Sequence, residues 1–171
     1  QRYDAAGVQV DLDGSTNASA TASLVNTTTS DTQAHAKVAE LSNGGFVVSW
    51  SSKNQDGHGF GVYGQRYGAN GTADGSEFRV NTYTTNHQMG PNVITLADGK
   101  LVIAWSSLNQ DGDWHGVYAT IYDAGGAVVK GEYRINTETI DMQNDALITA
   151  LVDGGFVVMW RSYIQDGSGY G

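Results

Sequence analysis

The sequence predicts an all-β repeat protein, and three observations carry that prediction. The first is the frame Gly44-Gly45-Phe46-Val47-Val48-Ser49-Trp50 followed by Gln55-Asp56-Gly57. It returns around Trp105 with Gln110-Asp111-Gly112 and around Trp160 with Gln165-Asp166-Gly167, so the step from Trp50 to Trp105 equals the step from Trp105 to Trp160. A fixed period of that length marks a repeat architecture. The second is composition: 23 Gly, with Ser, Thr and Asn between runs of Val, Ile, Tyr, Phe and Trp, is the residue mix of strands and tight turns. No stretch of useful length has helical periodicity. The third is alternation with period two. Phe46, Val48 and Trp50 share one face, as do Leu101, Ile103 and Trp105, and then Phe156, Val158 and Trp160. The opposite face carries Val47, Val102 and Val157, so this strand is apolar on both sides near its start and is expected to be central.

Taken in order, residues 1–7 read as the tail of a repeat, matching the stretches that begin at Gln65 and Thr120. Residues 8–22 are an insertion peculiar to the first repeat, rich in Ser, Thr, Asn, Ala and Asp, and predict an exposed loop or extended connection. From Leu24-Val25-Asn26-Thr27 the register returns, matching Arg79-Val80-Asn81-Thr82 and Arg134-Ile135-Asn136-Thr137. In the second repeat, strands are expected at about 77–82, 92–96, 101–107 and 116–122. Ala97-Asp98-Gly99, with Ser42-Asn43-Gly44 and Val152-Asp153-Gly154 at the matching places, predicts a tight hairpin between the middle two, because Asn-Gly and Asp-Gly tolerate positive φ.

Four short antiparallel strands in each unit of about 55 residues, repeated, point to blades of a β-propeller. A solenoid of hairpins is the rival, but its coils are usually shorter, and a sandwich leaves the strict period unexplained. The expected architecture is β-propeller-like: three four-stranded antiparallel blades in a single repeat domain, 1–171. Its repeats run over 1–64 with the insertion, 65–119 and 120–171. The frame Gly-Gly-Phe-Val-Val-x-Trp, then Gln-Asp-Gly-x-Gly-x-Gly-Val-Tyr-x-Gln-Arg-Tyr, then Glu-Phe-Arg-Val-Asn-Thr, resembles tandem repeats of very large secreted bacterial proteins. Those repeats often stand beside the haemolysin-type calcium-binding repeats of RTX adhesins. The resemblance covers nearly the whole chain outside 8–22. It implies a secreted or bacterial cell-surface location and adhesive or ligand-binding work.

Charge and composition narrow the partners. With nine Lys and Arg against 18 Asp and Glu the chain carries −9, which repels phosphate backbones and anionic lipid and leaves cations and neutral polar ligands. No nucleic-acid partner and no membrane insertion are expected, since no apolar run approaches the roughly 18–20 residues a span requires. The absence of Cys removes disulfides, thiolate metal sites and a cysteine nucleophile. A first residue Gln in place of Met suggests a mature or excised fragment.

Two sets of residues are candidates for binding. The Gln-Asp-Gly loops offer oxygen donors on glycine-bent turns: Asn54, Asp56, Asn109, Asp111, Asp113 and Asp166 are the expected calcium ligands, with calcium as the one cofactor. The competing reading is a plain turn in which Asp caps backbone amides. The second set recurs at fixed registers: Asn26, Asn81 and Asn136, and Gln33, Gln88 and Gln143. Hydrogen bonding between strands or blades is one role for them. The other is a glycan pocket at each junction, amides meeting sugar hydroxyls beside an aromatic face. Trp114 has no counterpart in the other repeats and is the expected exposed, ligand-binding tryptophan, whereas Trp50, Trp105 and Trp160 belong to the core. The four histidines occupy unmatched registers and no carboxylate pair stands out, so no catalytic activity is expected. The expected function is recognition or adhesion through repeated weak carbohydrate sites; a structural spacer or fibre-forming unit is the alternative. Self-association through complementary chain ends is also expected, Gln1 to Ala5 completing the Trp160 blade of a neighbouring copy.

Overall fold

The computed structural model describes residues 2–3, 5–10, 23–163, 165 and 167–169. Its strands are β1 (Arg2–Tyr3), β2 (Gln9–Val10), β3 (Gln33–Glu40), β4 (Phe46–Lys53), β5 (Phe60–Tyr67) and β6 (Phe78–Arg79). They continue with β7 (Gln88–Thr95), β8 (Leu101–Leu108), β9 (His115–Tyr122), β10 (Val128–Arg134), β11 (Gln143–Ala150) and β12 (Phe156–Ser162). All pairings are antiparallel: β3-β4-β5-β6, β7-β8-β9-β10, β11-β12, and the small β1-β2 pair. No helix forms among the described residues, so none is long and apolar enough to cross a membrane.

The all-β expectation holds, with one shift of phase. The segment at 77–82, expected as the first strand of the second repeat, instead supplies β6, the last strand of the first sheet, through Tyr63↔Arg79 and Gly64↔Phe78. The first two four-stranded sheets, ending in β6 and β10, therefore close on residues from the next sequence repeat. The cause lies in the chain path: after β6 the chain crosses over at 80–87 and re-forms as β7, which starts at Gln88 and not at Asn92. Strands β1 and β2 also pair with each other within the chain, Arg2↔Val10 and Tyr3↔Gln9. The same geometry recurs as the bridge Tyr67↔Ala73. Of the insertion at 8–22, residues 11–22 lie outside the described residues.

The hairpins form where expected, with a different turn. Leu41 accepts from Gly44 N at 3.0 Å and donates to Gly45 O at 2.8 Å, and the Leu96 and Leu151 turns repeat this. Only the glycine has positive φ, 80°, 82° and 89° at Gly44, Gly99 and Gly154, so the preceding Asn43, Asp98 and Asp153 need no left-handed backbone. A bulge interrupts β3, β7 and β11 at the same register. His35, Gly90 and Asp145 take φ of 58°, 65° and 55° there, and the pairing slips between Ala34 and Lys37, Met89 and Asn92, Asn144 and Leu147.

The sheets stack face to face, with β3 beside β7 and β7 beside β11. Between the first two lies one apolar core: Leu41, Val47 and Val62 from the first sheet meet Val93, Leu101, Ile103, Trp105 and Tyr122 from the second. Between the second and third lies its counterpart, where Leu96, Val102, Ala104 and Ala119 meet Ile148, Phe156 and Val158. The central strand β8 is thus buried on both faces, as its doubly apolar run requires, whereas β4 buries Val47 against the second sheet and leaves Phe46 and Val48 half-buried on its other face.

Candidate functional site

The repeated Asn and Gln converge with the Gln-Asp-Gly loops at the junctions between sheets. Asn81 sits on the crossover from the first sheet to the second. Its Oδ1 accepts from Val62 N of β5 at 2.7 Å. Its Nδ2 faces Tyr83 O at 2.8 Å, Asp56 Oδ2 at 3.3 Å and Gln88 Oε1 of β7 at 3.4 Å. Gln88 in turn donates to Thr85 O at 2.8 Å. Asn136 repeats the node one junction on: Val117 N donates to it at 2.7 Å, and its Nδ2 faces Glu138 O, Gln143 Oε1 and Asp111 Oδ2 at 2.6, 3.2 and 3.4 Å. Gln143 donates to Ile140 O at 2.7 Å. Asn81, Gln88, Asn136 and Gln143 are all buried, so their amides face protein partners and not solvent. Asn26 and Gln33 keep only the local bonds, to Thr28 O at 2.6 Å and Ser30 O at 2.7 Å.

A second clasp accompanies each node. Glu132 receives Thr82 N, Thr82 Oγ1 at 3.0 Å and the Gln110 amide; Glu77 receives Thr27 N at 2.7 Å, Thr27 Oγ1 at 2.9 Å and the Gln55 amide. One carboxylate thereby ties the crossover, the long loop and the outer strand together. Sequence reading missed this clasp, although its signal was present: Glu77 and Glu132 are one repeat period apart, as are Gln55 and Gln110.

The loop donors expected for calcium are spread over these internal bonds. Asn54 and Asn109 take φ of 61° and 60° and close the loops through N–H bonds to Gly59 O and Trp114 O. Asp56 Oδ1 accepts from His58 N at 3.4 Å, and Asp113 accepts from Trp114 N at 2.9 Å and Asp141 N at 3.0 Å. The amides of Asp141 and Trp114 hold the Asp113 carboxyl below its usual range. Among the described residues no three His, Asp or Glu side chains gather as a metal shell, and Asp166 lies outside them. The buried Asp111 Oδ1 and Gln110 Oε1 have no hydrogen-bond partner.

Trp114 is set apart. It is 55% exposed and, with Asp141, Met142 and Tyr163, lines a cleft of about 370 Å³ between the second and third sheets. The matching place in the first repeat is Gly59, with φ of 73°, where a Cβ would stand 2.2 Å from Asn86 O. That junction has no room for a side chain; at the next one Asp113 holds the loop by accepting from Asp141 N, and Trp114 stands outward.

His115, next along the chain, is half-buried with its Nδ1 unpartnered. Burial and then the neighbouring His87 push its pKa below 6.5, with Asp145 and Asp111 opposing. The folded state therefore binds this proton less readily than the unfolded chain. Stability from the neutral imidazole is present above about pH 6.5 and is lost as pH falls below it. Melting temperature measured from pH 7.5 downward is expected to fall in that window, and a His115→Gln variant to fall less; equal slopes would refute the assignment.

No protein-family model matches the chain, and no curated protein matches it. Among solved structures it is similar to an endo-arabinase from Bacteroides thetaiotaomicron VPI-5482, with a TM-score of 0.52 and 16% identity over 76% of this chain and 51% of that one. The chain spans about half of that structure, and at this identity the likeness is one of fold. It corrects the expectation that the chain is not an enzyme. That exclusion rested on residue order, but carboxylates far apart in sequence are brought together by folding, and the fold this chain shares is carried by an enzyme.

Proposed function

We propose that the chain is a carbohydrate-recognition unit of propeller-type blades from a secreted or surface-bound bacterial adhesin-like protein, and that it takes a sugar in the Trp114 cleft. The observation that carries this reading is the exposed indole beside Tyr163 and Asp141. An indole face covers the C–H side of a pyranose or furanose ring, while a carboxylate accepts from its hydroxyls. The fold likeness to an endo-arabinase, an enzyme named for a carbohydrate, supports the same ligand class. The buried Asn and Gln nodes hold the walls of the cleft in register; the exposed residues of the loop make the contact.

A glycan array followed by tryptophan-fluorescence titration tests it. A hit is expected to shift Trp114 emission, and Trp114→Ala is expected to weaken binding at least about tenfold, the loss of roughly 1.4 kcal/mol of stacking and burial. The melting temperature should stay close to that of the parent, because an exposed side chain away from caps and cores contributes little. Release of reducing ends from the bound polysaccharide is measured in the same experiment. Turnover abolished by Asp141→Asn would change the reading from recognition to hydrolysis at this cleft; an array without hits would sink both.

A further inference from the structure

We propose that a second copy of this chain docks head to tail, the open face of its first sheet covering the open face of the third sheet. The chain itself forms such an interface twice. At each internal junction one sheet presents a trailing face to the leading face of the next. Val47 and Leu41 of the first sheet do so against Val93, Leu101 and Ile103; Val102 and Leu96 of the second do so against Ile148, Phe156 and Val158. These are the same registers, displaced by one repeat period.

Among the described residues, the leading face of the first sheet and the trailing face of the third have no partner sheet. On the first sheet Val38, the counterpart of Val93 and Ile148, is 65% exposed where those are 6% and 9%. It stands with Val25, Phe46, Val48 and Tyr67 in an apolar hollow of about 490 Å³, rimmed by Lys37 and Glu40. On the third sheet Val157, the counterpart of the wholly buried Val47 and Val102, is 47% exposed, and Met159 beside it is 61% exposed where Ser49 and Ala104 are buried. Paired hydrophobic faces of this kind mark interaction surfaces. Their shapes are complementary through the repeat: whatever lets Val102 seat against Val158 and Ile148 lets Val157 seat against Val48 and Val38. The occupant is thus a further leading face of the same sequence, which a second copy carries. Such a contact is heterologous, so it grows until the rotation between sheets closes a ring.

Sedimentation velocity from about 1 to about 300 µM reads the association, at near 0.15 M salt so that the −9 charge is screened beyond about 8 Å. The parent chain is expected to gain mass with concentration. Val38→Asp and Val157→Asp are each expected to be monomeric with an unchanged melting temperature, since both positions are exposed in the single chain. Mixed together, the two variants retain one good face each and are expected to form a one-to-one pair that grows no further. A parent chain that stays monomeric throughout overturns the proposal. So does association that survives both substitutions, which would assign it to strand exchange at the chain ends.

Discussion

Trp105→Ala is expected to lower stability by about 3–5 kcal/mol, the range for truncating a fully buried large aromatic. Trp50→Ala should follow closely and Trp160→Ala should cost far less. The three residues hold one register of one motif, so the difference isolates their surroundings. Trp105 is completely buried and Trp50 nearly so, each opposite a tyrosine on the next strand, Tyr118 and Tyr63. Trp160 lies on β12, which pairs only with β11 among the described residues, and it is partly exposed. For a chain of this length the loss at Trp105 corresponds to a fall of about 10 °C in melting temperature. Trp105→Phe provides a finer check. The indole Nε1 of Trp105 is buried without a partner, so replacing the ring by phenyl removes an unsatisfied donor along with some volume and is expected to cost well under half of the alanine change. Urea unfolding of the four variants decides it; a Trp160→Ala cost equal to that of Trp105→Ala would refute the account.

The fold was legible where a local rule acts on adjacent residues. Alternation in Leu101 to Trp105 placed β8, and its doubly apolar start placed it centrally, since a strand buried on both faces needs apolar residues on both. The Gly44, Gly99 and Gly154 turns were legible because a left-handed φ favours glycine. The sheet membership of Phe78 and Arg79 was not legible. Those two residues read equally well as the start of one unit or the end of another, and only pairing with Tyr63 and Gly64 decides. The candidate site shows the same limit. Asp56 and Asn81 were each visible as repeated polar residues, yet their meeting at 3.3 Å depends on the path of β5 between them, which no local rule reports. Trp114 was legible by default: a large aromatic without a counterpart in the other repeats has no core position to fill.

The electrostatics of three phenols follow from the same packing. Burial pushes the phenols of Tyr63 and Tyr118 up to about 12, and Tyr122 higher still, with Asp56, Asp111 and Glu132 respectively adding to the shift. All three tyrosines lie on the face that carries Trp50 and Trp105.

Asn81→Ala and Asn136→Ala are each expected to cost about 2–4 kcal/mol, whereas Asn26→Ala should cost under about 1 kcal/mol. All three asparagines make the same local bond, to Thr28 O, Tyr83 O and Glu138 O two residues on. Only Asn81 and Asn136 also accept a strand amide, from Val62 and Val117, and face a loop carboxylate and a glutamine of the next sheet. Truncating either one leaves a wholly buried N–H without its acceptor and strands a buried glutamine carbonyl, and an unsatisfied buried donor alone costs about 1–3 kcal/mol. Asn81→Asp should be worse than its size suggests, since it sets a second carboxylate against Asp56 in a site closed to water. Chemical denaturation of the alanine series gives the comparison directly. Equal losses at 26, 81 and 136 would mean that the local turn is the whole contribution, and the junction between sheets would then have to be held by apolar packing alone.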